Sequence, residues 1–551
     1  MATPNSSKFD YITSKRLIQS GCPDIYQLTP KKETSGTLRR MTLGERNSLA
    51  PNKTILLVGE TGTGKSTLIN ALVNYTIGVK FDDDVWFQII EDQGDEGLPG
   101  RNQSESQTSD VIVYEIFGFQ GKSLPFSLTI IDTPGYGDTR SIDKDDIVKQ
   151  RLFDLFRAND GIHEIDAVGL VLKATENRVS DRLRYIFDSV MSLFGKDMEK
   201  KIVALITHSD GMTPDNVLTA LEDAKITFAK DKDNDPVYFL FNNRQTVAKT
   251  KKTKGPLKNA WDFTTEEIRQ FSEFLEGNSA QNVTNTVEVL NSRIKLTACI
   301  QNLQERIQLA ELKQKEIQQT QEALKKYEQE MKNNANFVIE IEEPYKVKES
   351  IKGGWWGWGW LGWQWRQLFY EGAVCCTTCE ETCHYPGCTV AWSPMLCEVM
   401  KEGRCTSCTN NCPVSTHVKE EWIYVNKSRK VQKTLQDVKD KYEQYQAGSK
   451  SKLSLLETLQ GKMNEYQKEK QIYLQESYNH VMKLESIALN RQSLSTQVHL
   501  DFLIAKMREM GDYSKVGTLE GIKRQLDKDK GIKAAMQYGF SKLTEAAKGM
   551  L

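Results

Sequence analysis

Six short apolar runs punctuate the first half of the chain: Thr54–Val58, Val111–Phe117, Ser127–Ile131, Ala167–Leu172, Lys201–Ile206 and Val237–Phe241. Longer stretches with helical spacing separate them. Buried strands alternating with helices predict an α/β domain with a mostly parallel sheet, spanning residues 51–276. Residues 1–50 are polar and lack sustained periodicity, so a flexible or loosely docked leader is expected there.

After Asn282 the period changes. Leu296, Ile300, Leu303, Ile307, Ala310, Ile317, Leu324 and Met331 keep a three-four spacing in a Gln/Glu/Lys background. One apolar stripe along a long helix follows, over 283–340, with a seam suited to another helix. Gln314 and Gln321 interrupt that seam. A second stripe runs through Val431, Leu435, Val438, Tyr442, Tyr445, Leu456, Leu459, Met463 and Tyr466, and predicts a second coiled-coil helix over 423–495. The two predict an antiparallel hairpin carrying a compact insert, residues 341–422, at its tip. The competing arrangement packs both stripes on the α/β domain or on another chain. Residues 496–551 have a helical pattern broken at Gly511 and Gly517.

Composition narrows the function classes. At 551 residues the chain exceeds what one core supports. A formal net charge of -1 argues against a protein that coats nucleic acid. The first ten residues hold no apolar run and hence no secretory signal, and no apolar run is long enough to span a bilayer. A cytoplasmic location is the resulting expectation.

Chemistry enters at Gly59-Glu60-Thr61-Gly62-Thr63-Gly64-Lys65-Ser66, between the run Thr54–Val58 and the helix pattern that begins at Thr67. The spacing is that of a phosphate-binding loop in its strand–loop–helix setting. Glycines let backbone N–H groups converge on phosphate oxygens at a helix N-terminus. Lys65 is placed to bridge β- and γ-phosphates, and Ser66 to offer its hydroxyl to Mg²⁺. Asp132-Thr133-Pro134-Gly135 ends the run Ser127–Ile131. There Asp132 would stand behind Mg²⁺ and the Gly135 backbone would approach the γ-phosphate. The polar stretch 98–110 is the candidate first switch, with Thr108, or in second place Ser106, as the hydroxyl that completes the Mg²⁺ site. Base selection falls to Thr207-His208-Ser209-Asp210, where Asp210 could accept from the guanine N1/N2 edge, and to Asn242 or Asn243, which could donate to O6. His208 stands where guanine-specific GTPases carry lysine. For each of these pieces the plain alternative is a strand-end turn or a surface loop.

Taken together, GETGTGKST, DTPGYGDT, THSD and FNNR resemble the septin-like division of P-loop GTPases over residues 52–276. The closest parallels are the immunity-associated GIMAP group, with septins and the chloroplast Toc receptors as relatives. The resemblance implies GTP and Mg²⁺ binding, slow hydrolysis and dimers across the nucleotide face. Tyr136 follows Gly135 where Ras-type enzymes place the glutamine that orients water, so intrinsic turnover on a scale of about minutes or longer is expected. The cysteine-bearing half resembles an extension of uncharacterised animal GTPases.

Nine of the eleven cysteines lie between Cys375 and Cys412. Cys376-x2-Cys379-x3-Cys383-His384 is followed by Cys388, Cys397, Cys405-x2-Cys408, Cys412 and His417. Zn²⁺ takes four N/S ligands, and paired C-x2-C hooks bring two thiolates together with little loop entropy. Ten candidates fit about two structural zinc ions; the partition between them is open, and disulfides are the alternative. Six of the ten tryptophans stand in Trp355–Trp365, interleaved with glycine. A membrane- or partner-inserting loop competes there with packing against the zinc module.

Three function classes remain: a GTP-dependent switch or assembly protein, a P-loop ATPase, and a zinc-stabilised coiled-coil scaffold whose nucleotide is structural. The first accounts for the most residues.

Overall fold

The computed structural model describes residues 8–35, 38–90, 111–134, 143–158, 160–175, 191–223, 226–333, 338–351, 372–388, 393–434, 436–438, 440, 455–488 and 494–527. The chain divides into two compact units, the first comprising Met1–Leu290, Ile487–Leu494 and Arg524–Leu551 (so the last residues of the helix Tyr513–Asp527 fall to it), the second Asn291–Ser486 and Ser495–Lys523.

In the first unit the strands are β1 (Lys15–Gln19), β2 (Asp24–Leu28), β3 (Lys31–Ser35), β4 (Leu38–Leu43) and β5 (Asn52–Gly59). Helix α1 (Lys65–Ile77) follows, then β6 (Val85–Gln88), β7 (Ile112–Ile116), β8 (Ser127–Asp132), α2 (Asp143–Arg157), β9 (Glu164–Ile165) and β10 (Ala167–Lys173). The unit continues with β11 (Ile202–Thr207), α3 (Asp215–Asp223), β12 (Tyr238–Leu240), α4 (Lys254–Gly277) and β13 (Gln281–Asn282). Eight strands form one sheet in the order β12-β11-β10-β5-β8-β7-β4-β3. Pairing is parallel from β12 through β8 and antiparallel at β7/β8 and β3/β4. The predicted apolar runs are the six strands β5, β7, β8, β10, β11 and β12. Every residue of β8 and of β11 is buried, as parallel strands covered on both faces require.

Residues 8–43 correct the expectation of a loose leader. Phe9, Ile12, Ile25 and Leu28 are buried in the core of this unit, and Phe9 meets Phe87 edge-on at 5.5 Å. Strand β4 pairs in parallel with β7, while β1, β2 and β6 make a second small sheet. Two asparagines hold that sheet to α1. Asn74 donates to Phe87 O (2.6 Å) and accepts from Phe87 N (2.9 Å), and Asn70 accepts from Ile89 N (2.9 Å). Strands β1 to β4 are only five or six residues long, and β1, β3 and β4 carry paired basic residues, so they hold too little periodicity to register in sequence.

In the second unit, helix α5 (Thr284–Asn333, of which residues from Asn291 belong here) is followed by β14 (Val338–Ser350), β15 (Gly372–Cys376), β16 (Glu381–Cys388), β17 (Met400–Lys401), β18 (Arg404–Cys405), β19 (His417–Glu420) and β20 (Trp422–Thr434). Helices α6 (Leu455–Ile487), α7 (Leu494–Glu509) and α8 (Tyr513–Asp527) complete it. The stripe on α5 is buried at Ile300, Leu303, Ile307 and Ile317. Arg306 lies over Tyr473 and Lys313 over Tyr466, so α5 and α6 run antiparallel.

Two expectations fail here. Residues 422–434 are not helix: β20 pairs with β14 over thirteen residue pairs, so Val431 lies on a strand. Alternating β-branched and charged residues in VIEIEEPYKVKES and WIYVNKSRKVQKT carry the two-residue period that wins over the helical one. The ribbon also turns the cysteine module back along α5 instead of holding it at a tip. Glu342 meets Lys315, Asn426 meets Glu305, and Thr382 O accepts from Asn302 at 3.0 Å. Gly517 lies inside α8 and breaks nothing; the break is at Gly511, in the left-handed region at φ 76°. Among the described residues no helix is long and apolar enough to cross a membrane.

Candidate functional site

Strand β5 lies between β8 and β10, so chain connections leave its C-terminal end in opposite directions. That switch point is where open α/β sheets place a ligand crevice. The loop Glu60–Gly64 sits there. Gly62 (φ 83°) and Gly64 (φ 88°) adopt left-handed backbone that side chains disfavour, and Gly64 caps the N-terminus of α1. The turn is closed by Thr63, whose hydroxyl donates to Glu60 O at 2.8 Å.

Lys65 is buried and donates to Gly59 O at 2.9 Å. Burial pulls its pKa below the usual lysine range, against the opposing carboxylates of Asp132 and Glu60. Asp132 is fully buried at the end of β8. Thr133 locks that end, its hydroxyl donating to Leu57 O at 2.9 Å. Ser66 is half-buried in the first turn of α1, and Thr67 is exposed. A triphosphate tail and Mg²⁺ are compatible with this set: N–H groups at a helix start, one ammonium, one hydroxyl and one carboxylate. Thr108, Ser106, Gly135 and Tyr136 lie outside the described residues.

The two base loops are neighbours. Ser209 N donates to Phe241 O at 3.1 Å, which sets Thr207–Asp210 beside Asn242 and Asn243. Asp210 caps its own turn by accepting from Met212 N (3.0 Å). Asn242 accepts from Arg244 (3.1 Å) and Asn243 from Gln245 (3.3 Å). His208 is in the left-handed region (φ 55°), with its pKa lowered by burial and then by Lys173 and Arg244. Thr207 has a role the sequence hid. Its hydroxyl lies 2.6 Å from Thr63 O and 3.0 Å from Leu172 O, tying the base strand to the phosphate loop.

The cysteine module forms three groups with ligand atoms mutually within 4.8 Å: Cys376, Cys379, Cys408 and Cys412; Cys383, Cys405, Cys408 and His417; and His384, Cys397 and Glu398. Cys408 belongs to two of them. Backbone N–H groups point at the sulfurs, from Cys379 to Cys376 (3.4 Å), from Ser407 and Cys408 to Cys405 (both 3.3 Å), and from Cys412 to Cys408 (3.2 Å). Such bonds stabilise thiolate, the form that ligates metal. The cysteines described are free thiols. Glu398 is a candidate ligand that sequence reasoning missed, since one acid beside a cysteine carries no spacing signal. The Cys388 side chain and the tryptophan run lie outside the described residues. Strand alternation sends Cys375 the other way, into an apolar cluster with Ala373 and Tyr424, where burial pushes its thiol up to about 12.

Fold and site together define a P-loop α/β nucleotide-binding domain of the GTPase type. Residues 51–150 match the septin family model and are septin-like. No curated protein matches the chain. Among solved structures it is similar to Toc33 from Arabidopsis thaliana in complex with GDP and Mg²⁺ (17% identity, TM-score 0.28, covering 42% of this chain and 88% of that one). Toc33 in complex with Mg²⁺ and GMPPNP is similar at 18% identity and TM-score 0.28, covering 42% and 89%.

Proposed function

We propose that this chain is a GTP-binding switch or assembly protein with slow intrinsic hydrolysis, whose second unit is held together by structural zinc. The observation that carries the nucleotide reading is the left-handed glycine loop at the switch point, followed by buried Lys65, whose ammonium feels the charge of buried Asp132. Lys65 would hold the β- and γ-phosphates. Ser66 and Asp132 would hold Mg²⁺, which neutralises phosphate charge. Asp210 and an asparagine of the adjacent loop would select guanine. Tyr136 in place of a water-orienting glutamine supports slow turnover, and the septin-like motifs support dimers through the nucleotide face.

His208 in the lysine position keeps the ATPase reading alive, and one experiment decides between them. Isothermal titration of the full-length chain with GTP, GDP and ATP should show both guanine nucleotides binding and ATP failing to compete. ATP binding as tightly as GTP would refute the base assignment. Sedimentation with a non-hydrolysable GTP analogue should shift the protein to a dimer; a monomer under all conditions would leave the scaffold reading. The zinc reading rests on buried, N–H-supported thiolate groups with tetrahedral donor numbers.

A further inference from the structure

Two four-coordinate ions need eight donor positions, and the two cysteine-rich groups contain seven side chains. Among the described residues of these two groups, the count closes only if Cys408 serves twice. We infer that Cys408 is a bridging thiolate: its sulfur is shared by two zinc ions, one completed by Cys376, Cys379 and Cys412, the other by Cys383, Cys405 and His417. This rests on the zinc reading above and goes beyond it, because independent sites need no common ligand.

Burial argues against the simplest alternative, water in a fourth position, at the group that holds His417; in the other group only Cys379 is half-buried. Cys383, Cys405, Cys408 and His417 are all no more than 5% exposed. A second observation comes from the backbone. Cys408 both donates its own N–H to Cys405 Sγ and receives the Cys412 N–H at its sulfur (3.2 Å), so its residue is pinned to both groups at once. Sequence order tells the same story. Cys405 and Cys408 form one hook and Cys408 and Cys412 the next, which leaves Cys408 as the hinge between them. Sharing also eases the charge problem. Six thiolates against two dications leave a formal charge of about −2, against about −3 for separate four-thiolate and three-thiolate–imidazole sites. Two cations stand nearby: Lys346 donates to Cys379 O (2.9 Å) and Glu380 O (2.6 Å), and Arg306 pairs with Glu381 (2.8 Å) and reaches Ser407 O.

X-ray absorption at the zinc edge, on the full-length zinc-loaded chain, tests the bridge directly. A shared sulfur holds the metals close enough for a zinc–zinc scattering path; separate sites give only zinc–sulfur and zinc–nitrogen paths. Metal counts on variants give the second readout. Cys379→Ser should release one ion, and Cys408→Ser should release both. His384→Ala is measured alongside, so that an ion held by the His384–Cys397–Glu398 group is counted apart. Should Cys408→Ser fail to fold, the spectrum of the parent protein still decides. Bound zinc without a metal–metal path, or loss of a single ion from Cys408→Ser, overturns the bridge and leaves structural zinc standing. Protein that folds without zinc overturns both.

Discussion

The interiors of the two units are made of different materials. The α/β core is a continuous set of aliphatic and aromatic side chains, from Phe9 and Ile55 to Phe241 and Phe271. Among the described residues, the cluster around the candidate ligands in the cysteine module holds Ala298, Val374 and Val399 beside buried cysteines. Burial of apolar surface at about 25 cal/mol per Å² suffices for the first. It has less to work with in the second, where all strands of the module but the eight-residue β16 are two to five residues long. The contrast predicts that one region forms its ligand site by folding, whereas the other needs metal in order to fold.

The largest effect should come from stripping metal. Structural zinc contributes apparent binding energies of about 10–16 kcal/mol in small modules, and that energy is folding energy. Adding a strong chelator to the full-length protein should abolish hydrogen-exchange protection across 372–376 and 404–420. Strands β5, β8 and β10 should keep theirs. Equal loss in both regions, or none in either, breaks the comparison.

The converse perturbation is Lys65→Ala. An ammonium bound to phosphate makes charged hydrogen bonds worth about 1.5–3 kcal/mol each, so two of them predict GTP affinity reduced by roughly a hundredfold or more. Zinc content should not change. The melting temperature of the α/β unit should hold or rise, because Lys65 is a buried cation whose desolvation already pulls its pKa down. A fall in stability equal to the fall in binding would mean that the loop is structural.

The contrast also explains what the sequence could reveal. The phosphate loop was legible because its chemistry is local: eight consecutive residues fix backbone, charge and hydroxyl together. Strands β5, β7, β8, β10, β11 and β12 were legible because each is a largely buried apolar run. Strands β1 to β4 were not, since Phe9 and Leu28 find their partners only through tertiary packing. The ribbon β14/β20 was half-hidden, because Val431 falls on the helical spacing that continues to Val438, which is itself helical. In the module the ligand types were readable but the grouping was not. Which sulfur meets which depends on how β15, β16 and β19 stack, and Glu398 joins His384 only in three dimensions.

A smaller effect should follow from Thr207→Val, which keeps shape and removes the hydroxyl between Thr63 O and Leu172 O. Losing one or two such bonds costs about 1–2 kcal/mol. Thr63 O is the carbonyl just before Gly64, so part of that cost should appear as GTP affinity weakened by several-fold. Titration beside thermal melting separates the shares; an effect on melting alone would confine Thr207 to packing.

The smallest effect sharpens the comparison most, because it sets two adjacent cysteines against each other. Cys375 and Cys376 are successive residues of β15, and both are fully buried. A strand presents them to opposite faces. Cys376 faces the sulfurs of Cys379, Cys408 and Cys412; Cys375 packs with Ala373 and Tyr424. Cys375→Ala therefore removes a small apolar contact, a change of about 1 kcal/mol, and leaves the zinc count untouched. Cys376→Ala removes a ligand and should lower that count. Atomic absorption on the two purified variants reads the difference directly. Equal zinc loss from both would show that β15 does not present its residues in this register, and the grouping of the module would then have to be redrawn from its first strand.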